Sequence, residues 1–196
     1  MVEADTWLDK VRRGEPFEMI DWDFITAVNQ GQAKAAAYNT GPLEDFVQMS
    51  ALLRACLGRV GEDTFVSPPI TVDLGFNVEI GDGSFINSHC TLLDTYPIRI
   101  GDRVQIGPNC AFYPVGHPVK ASERSYLNAE GQRRSLTLGA PIVVEDDVWI
   151  GGNSIVLPGV TIGARSMIGA GSVVTRSVPP DTLAAGNPCR PIRSLA

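Results

Sequence analysis

The 196-residue chain is predicted to be mainly β, a parallel β-helix with an N-terminal α-helical cap and a protruding loop. Three observations predict this. Val or Ile recurs at every sixth position from Val144 to Val174. Gly (20) and Pro (14) make up 34 of 196 residues, about 17% against a usual 12% or so. The first 58 residues lack the six-residue texture and show helical spacing instead. The predicted division is a cap over 1–58 and a β-helix over 59–196, with an excursion at 114–141.

The cap comes first. Trp7, Leu8 and Val11 follow Asp5-Thr6, a plausible N-cap, and predict a short helix. Asp21 is placed to cap a second helix running to about Tyr38 through Ala33, Ala35, Ala36 and Ala37. Pro42 suits a helix start, and Glu44 and Asp45 after it suit the positive end of the dipole. Leu43, Phe46, Val47, Leu53 and Leu57 then recur at helical spacing, and Gly58 is a natural stop.

The repeat follows. Val144, Ile150, Val156, Ile162, Ile168 and Val174 are all β-branched. Val, Ile and Leu total 47 of 196 residues, so six hits in one frame arise by chance about once in 5,000 trials. Upstream, Ile80, Ile86 and Leu92 keep the step, as do Ile100, Ile106 and Phe112 after a two-residue slip, and Val60, Val66 and Val72 open the series. A period of six fits neither a helix nor a hairpin meander. It fits short strands that each form one side of a coil, with one aliphatic residue per side pointing inward. The small residues Val148, Ser154, Val160, Ser166, Ser172 and Val178 fit the tight corners. Gly and Asn/Asp between them tolerate left-handed corner backbone. A solenoid leaves edges only at its ends, one of which the helical cap could cover.

The repeat breaks between Pro114 and Pro141, and such an excursion from a rigid scaffold is a usual place for chemistry. It contains His117, within Gly116-His117-Pro118. An imidazole titrates near neutrality and can take a proton from an attacking hydroxyl or amine. His89 takes an outward position in its coil and is assigned a surface role. Asp73, Asn87 and Asp94 fall near inward or groove-facing positions, each also readable as a corner residue. Arg176, Arg190 and Arg193 gather toward the C-terminus of an otherwise acidic chain, where they could meet the phosphates of a nucleotide tail.

Several classes are excluded. The net charge of −6 and pI near 4.9 oppose nucleic-acid binding. The chain has no apolar run of membrane-spanning length, and the acidic start Met1-Val2-Glu3-Ala4-Asp5 does not read as a secretory leader. Cys56, Cys90, Cys110 and Cys189 include no CxxC pair, which points to reduced thiols and a cytoplasmic protein. Neither a P-loop nor a GxSxG elbow occurs. Gly169-Ala170-Gly171 falls on the six-residue step and reads as a coil corner.

The chain resembles the hexapeptide-repeat acetyltransferases of the maltose and galactoside O-acetyltransferase type, and also the nodulation acetyltransferases. The resemblance spans nearly the whole chain. It rests on Pro68-Pro69 with Asp73 and Gly75, Asn87, Gly116-His117-Pro118, the run from Val148-Trp149-Ile150-Gly151-Gly152 through Gly171-Ser172-Val173-Val174-Thr175, and Ala185-Gly186-Asn187-Pro188-Cys189-Arg190. It implies a left-handed β-helix, a homotrimer with active sites between subunits, and acetyl-CoA as donor. It implies His117 as the general base and direct attack in a ternary complex. Trp149, Gly151 and Ala170 are implied along the pantetheine arm, and Thr175, Arg176, Arg190 and Arg193 near the nucleotide end. Asp21, Asp73, Asn87 and Asp94 are implied on the side of a small-molecule acceptor. Some hexapeptide-coil proteins are zinc enzymes with three histidine ligands, but His89 and His117 cannot supply three, so no metal is expected.

The departures fall mostly on the acceptor side. Asp94-Thr95 stands where the family often has two acidic residues, Thr137 where it commonly has glutamate, and Leu74 where it often has tyrosine. Gly152 replaces a common serine. The excursion is also longer and more basic, with Arg124, Arg133 and Arg134. These departures speak against maltose or galactosides themselves as the substrate. The repeat, His117, Trp149 and the C-terminal arginines lead to the expectation of a hydroxyl of a sugar or similar small molecule as acceptor. Alternatives are an antibiotic-like or secondary-metabolite acceptor taken at O or N, and a non-catalytic assembly protein.

Overall fold

The computed structural model describes residues 6–196. From Arg59 the backbone winds as a left-handed β-helix of stacked triangular coils. Each side is a strand of two or three residues. One face holds Arg59–Val60, Val78–Ile80, Ile98–Ile100, Ile142–Val144 and Thr161–Ile162, paired parallel and in register. The other two faces have five and seven strands, the seventh being Arg190–Ser194, which folds back antiparallel on Thr182–Ala185.

The six-residue series forms the interior. Val144 stacks on Ile162, Ile150 on Ile168 and Val156 on Val174, one pair per face, and none is more than 1% exposed. Burying each such side chain stabilises the fold by about 1.5–3 kcal/mol. The small corner residues do more than save space. The hydroxyls of Ser84, Ser154 and Ser166 donate to the carbonyls of Gly101, Gly151 and Pro179 at 2.7–2.9 Å, so buried corner carbonyls are paired.

The coils differ in length. Val60, Ile80 and Ile100 stack at steps of twenty residues, Ile150 and Ile168 at eighteen. The extra residues form turns at 73–77 and 93–97, which is the structural form of the two-residue slip. At one corner the left-handed residues are Asp63, Gly83, Arg103, Asp147, Arg165 and Asp181. The sequence reading assigned such corners to Gly, Asn and Asp. Arginine occurs because Arg103 and Arg165 pair with Asp147 and Asp181 in the next coil at 2.7 and 2.6 Å. The guanidinium of Arg103 holds the Asp147 carboxyl below its ordinary pKa.

Where adjacent coils touch at Gly151, a Cβ would lie 2.5 Å from the Ala170 backbone nitrogen. Gly151→Ala is expected to cost about 1–3 kcal/mol. A thermal melt reads this as a lower Tm, and an unchanged Tm would show that the two coils part freely there.

The cap has two roles. Helix α1 (Trp7–Arg12) starts at Thr6, whose side chain accepts from the Asp9 N–H; Asp5 of the expected cap lies outside the described residues. Helix α2 (Trp22–Asn39) is capped by Asp21. Helix α3 (Phe46–Cys56) begins later than Pro42 suggested, because the Asp45 side chain accepts from the Gln48 N–H. Gly58 is not a left-handed stop; a Cβ there would meet the Phe76 carbonyl. Met49, Leu53, Cys56 and Leu57 join the prism core and close its first coil. Side chains pair the open edge: Asn39 exchanges two hydrogen bonds with the Ile70 backbone at 2.8 and 2.9 Å, and Tyr38 donates to the Val66 carbonyl. The other part of the cap lies on the flank. Trp7, Val11, Phe17 and Phe24 form a separate cluster with Leu74 and Tyr96 from the two inserted turns.

The excursion is more ordered than its polar composition suggested. Val115–Gly116, Ser125–Leu127 and Arg133–Gly139 form an antiparallel sheet to which Phe17–Glu18 adds a strand. Arg134 pairs with Glu18 at 3.0 Å, and the Tyr126 hydroxyl donates to the same carboxylate at 2.6 Å. That clasp engages Arg134.

Candidate active site

His117 follows the strand Val115–Gly116, whose pairing with Arg133–Gly139 sets Gly116 opposite Leu138. The Leu136 carbonyl thereby lies 2.8 Å from Nδ1 of His117. A carbonyl can only accept, so Nδ1 carries the hydrogen and donates it. The neutral ring then keeps its lone pair on Nε2.

His117 lines a cavity of about 270 Å³ with Met19, Phe24, Val28, Asp73, Thr95, Val115 and Thr137. Three distant segments meet here: the strand and helix start of the cap, the two inserted turns, and the excursion. Asp73 stands in the first inserted turn, and the Thr95 hydroxyl in the second donates to its Oδ2 at 3.1 Å. Burial raises the Asp73 pKa above the usual carboxylate value, and the hydrogen bond from Thr95 opposes this.

Asp94 sits beneath, fully buried. Its Oδ1 accepts the N–H groups of Asp73 and Leu74 at 3.1 and 2.9 Å, and its Oδ2 accepts that of Asn77 at 3.1 Å. Burial pushes this carboxyl up as well, against the pull of those donors. Asp94 thus builds the turn that presents Asp73. Asp21 spends Oδ1 on the N–H groups of Asp23 and Phe24. The side-chain Oδ1 of Asn87 accepts its neighbour's N–H, that of Ser88, at 2.8 Å. Of the four acceptor-side candidates, only Asp73 lines the cavity in the single chain.

The donor-side candidates lie apart from it. Trp149, 52% exposed, belongs to an outward column with Phe65, Phe85, Gln105, Met167 and Leu183. It borders a second cavity, of about 380 Å³, with Arg103, Gln105, Asp147 and Val148. Gly151 and Ala170 stack at the corner that follows. Thr175, Arg176, Arg190 and Arg193 are exposed toward the C-terminal coils. None of these residues lines the His117 cavity.

Sequence reasoning did not find Met19, Phe24, Val28, Thr95 or Val115. Met19, Phe24 and Val28 carry no motif, and the pairing of residues 17–18 with 136–137 and the packing of helix α2 on Leu74 and Tyr96 bring them to His117. Thr95 and Thr137 were visible only as departures from a family pattern.

Residues 141–176 match the bacterial transferase hexapeptide (six repeats) family. The galactoside O-acetyltransferase of Escherichia coli (strain K12) is 37% identical over 187 residues, covering 95% of this chain and 88% of that one. A hexapeptide-repeat-containing acetyltransferase of Vibrio cholerae O1 biovar eltor, solved in complex with acetyl coenzyme A, superposes with a TM-score of 0.85 at 39% identity, over 97% of this chain and 99% of the other. A maltose O-acetyltransferase of Clostridium difficile 630 gives a TM-score of 0.90 at 34% identity, over 99% and 100%. Stacked coils built from six-residue sides, a histidine at the root of the excursion and likeness over full length agree, and the chain belongs to the hexapeptide-repeat acetyltransferases of the galactoside and maltose O-acetyltransferase type.

Proposed function

We propose that the protein is an acetyl-CoA-dependent O-acetyltransferase whose general base is His117, acting on a hydroxyl of a sugar or similar small molecule. The observation that carries this is the hydrogen bond from Nδ1 to the Leu136 carbonyl, which leaves Nε2 as the basic nitrogen of a residue lining a cavity. The solved relative with acetyl coenzyme A supports the donor. In this reading Nε2 takes the acceptor hydroxyl's proton as its oxygen bonds to the thioester carbonyl carbon. The carbon–sulfur bond breaks, and the imidazolium returns the proton to the departing thiolate. Products are the acetyl ester and CoA thiol, with no acyl-enzyme.

The exposed indole of Trp149 offers a flat apolar wall for the pantetheine arm. Gly151 and Ala170, with no bulk beyond Cβ, let backbone approach it, and Thr175, Arg176, Arg190 and Arg193 suit the nucleotide phosphates. Within one chain this surface and the His117 cavity share no residue. That separation supports an arrangement in which a neighbouring copy of a homotrimer brings the donor to His117. Asp73 meets the acceptor directly, Asp94 holds Asp73 in place, and Asp21 and Asn87 are proposed to reach the acceptor at the same seam.

The test is a thiol-release assay with acetyl-CoA over a panel of sugars, alcohols and amines, with mass spectrometry of the product. Formation of an O-acetyl ester supports the reading; acetylation of amines alone overturns it. For the donor surface, Trp149→Ala is expected to weaken CoA binding about tenfold or more by calorimetry, with Tm preserved because the ring is half exposed. Unaltered affinity would remove Trp149 from the donor site.

A further inference from the structure

We propose that the Thr137 hydroxyl is a specificity-determining contact, and that the acceptor is a vicinal diol on an apolar ring. One hydroxyl of the diol reacts and its neighbour binds Thr137. The inference rests on the reading of His117 as the base.

Thr137 is 2% exposed, and its Oγ1 is the one buried side-chain polar atom among the described residues with no hydrogen-bond partner. It also lines the His117 cavity. An unpaired buried hydroxyl is costly and rare in a folded protein, and a ligand that supplies the partner relieves that cost. The position is firmly held. Thr137 pairs with Phe17 across the strands, and the preceding carbonyl, Leu136, accepts from His117. The side chain is therefore one residue from the group that orients the base.

The other polar groups of the cavity complete the pattern. Thr95 is already committed to Asp73, through a donated hydrogen bond of 3.1 Å. Asp73 can accept from a ligand hydroxyl, and Thr137 can donate to the oxygen of that same hydroxyl. No Lys or Arg lines the cavity, which disfavours an anionic acceptor. Met19, Phe24, Val28 and Val115 supply the rest of the wall, suited to the carbon face of a ring rather than to a molecule polar on every side.

Thr137→Val keeps the shape and removes the hydroxyl. A ligand-directed hydroxyl leaves the free protein with an unchanged or higher Tm on this substitution, whereas a structural hydroxyl with a partner inside the protein gives a lower one. The acceptor probes are cis-1,2-cyclohexanediol and cyclohexanol, each with acetyl-CoA. The wild type is expected to favour the diol in kcat/KM by about tenfold or more, because a site built to bond a hydroxyl rejects the analogue lacking it. In Thr137→Val that preference collapses through the KM for the diol, while the KM for acetyl-CoA stays put. A lower Tm, a preserved diol preference in the variant, equal use of the two probes, or acceptance of neither overturns the proposal. The base reading fails separately, if His117→Ala acetylates the diol at the wild-type rate.

Discussion

His117→Ala is expected to lower kcat for acetyl transfer by about 10²–10⁴-fold. The loss should fall on turnover and spare the donor, since His117 does not line the cavity beside Trp149. Stability should hardly move, because the side chain is exposed and the freed Leu136 carbonyl can turn to water. His117→Asn sharpens the experiment. An asparagine amide can still donate to Leu136, but it offers no basic nitrogen. A comparable loss in Asn and Ala identifies proton transfer as the lost step; near-normal turnover in Asn would mean that the residue acts only by shape. Thiol release at saturating acetyl-CoA measures both.

Asp94→Ala is expected to destabilise the protein by about 3–5 kcal/mol, since it strands three backbone N–H groups beneath a buried turn. A urea titration should show a lower midpoint. Asp94→Asn keeps one accepting oxygen but turns an N–H₂ toward backbone donors, so it should recover only part of the loss. Because the turn presents Asp73, a folded Asp94 variant should also show a raised KM for the acceptor with the KM for acetyl-CoA preserved. A variant with wild-type stability would mean that the 73–77 turn holds its shape without the carboxylate.

The prism was legible because its rule is local. Each β-branched residue at the sixth position faces inward regardless of what lies elsewhere in the chain, so Val144 to Val174 could be placed by counting. The helix caps at Thr6 and Asp21 were legible for the same reason, a short polar side chain answering the N–H groups just beyond it. His117 and Trp149 were marked by resemblance, and their positions could be assigned without a fold. The cavity walls were not legible. Met19 and Thr137 are brought near one another by a two-residue strand, Phe17–Glu18, too short to show any alternation. Asp94 was only half legible for another reason. A carboxylate in a groove-facing segment reads alike whether it faces a ligand or a turn of backbone, and only the three N–H groups around it tell which. Arg103 and Arg165 at left-handed corners were equally hidden, since their warrant is an aspartate in the following coil.

The clasp between the cap strand and the excursion also sets an order of events. The rungs flanking the excursion join strands 44 residues apart, but most rungs of the prism can close as soon as the next one is made, since their partners lie about twenty residues away. The acceptor cavity cannot, because its walls come from opposite thirds of the polypeptide. During synthesis the clasp therefore waits for residues 133–139 to return to the N-terminal strand, and the coils that carry Trp149 are made only after that.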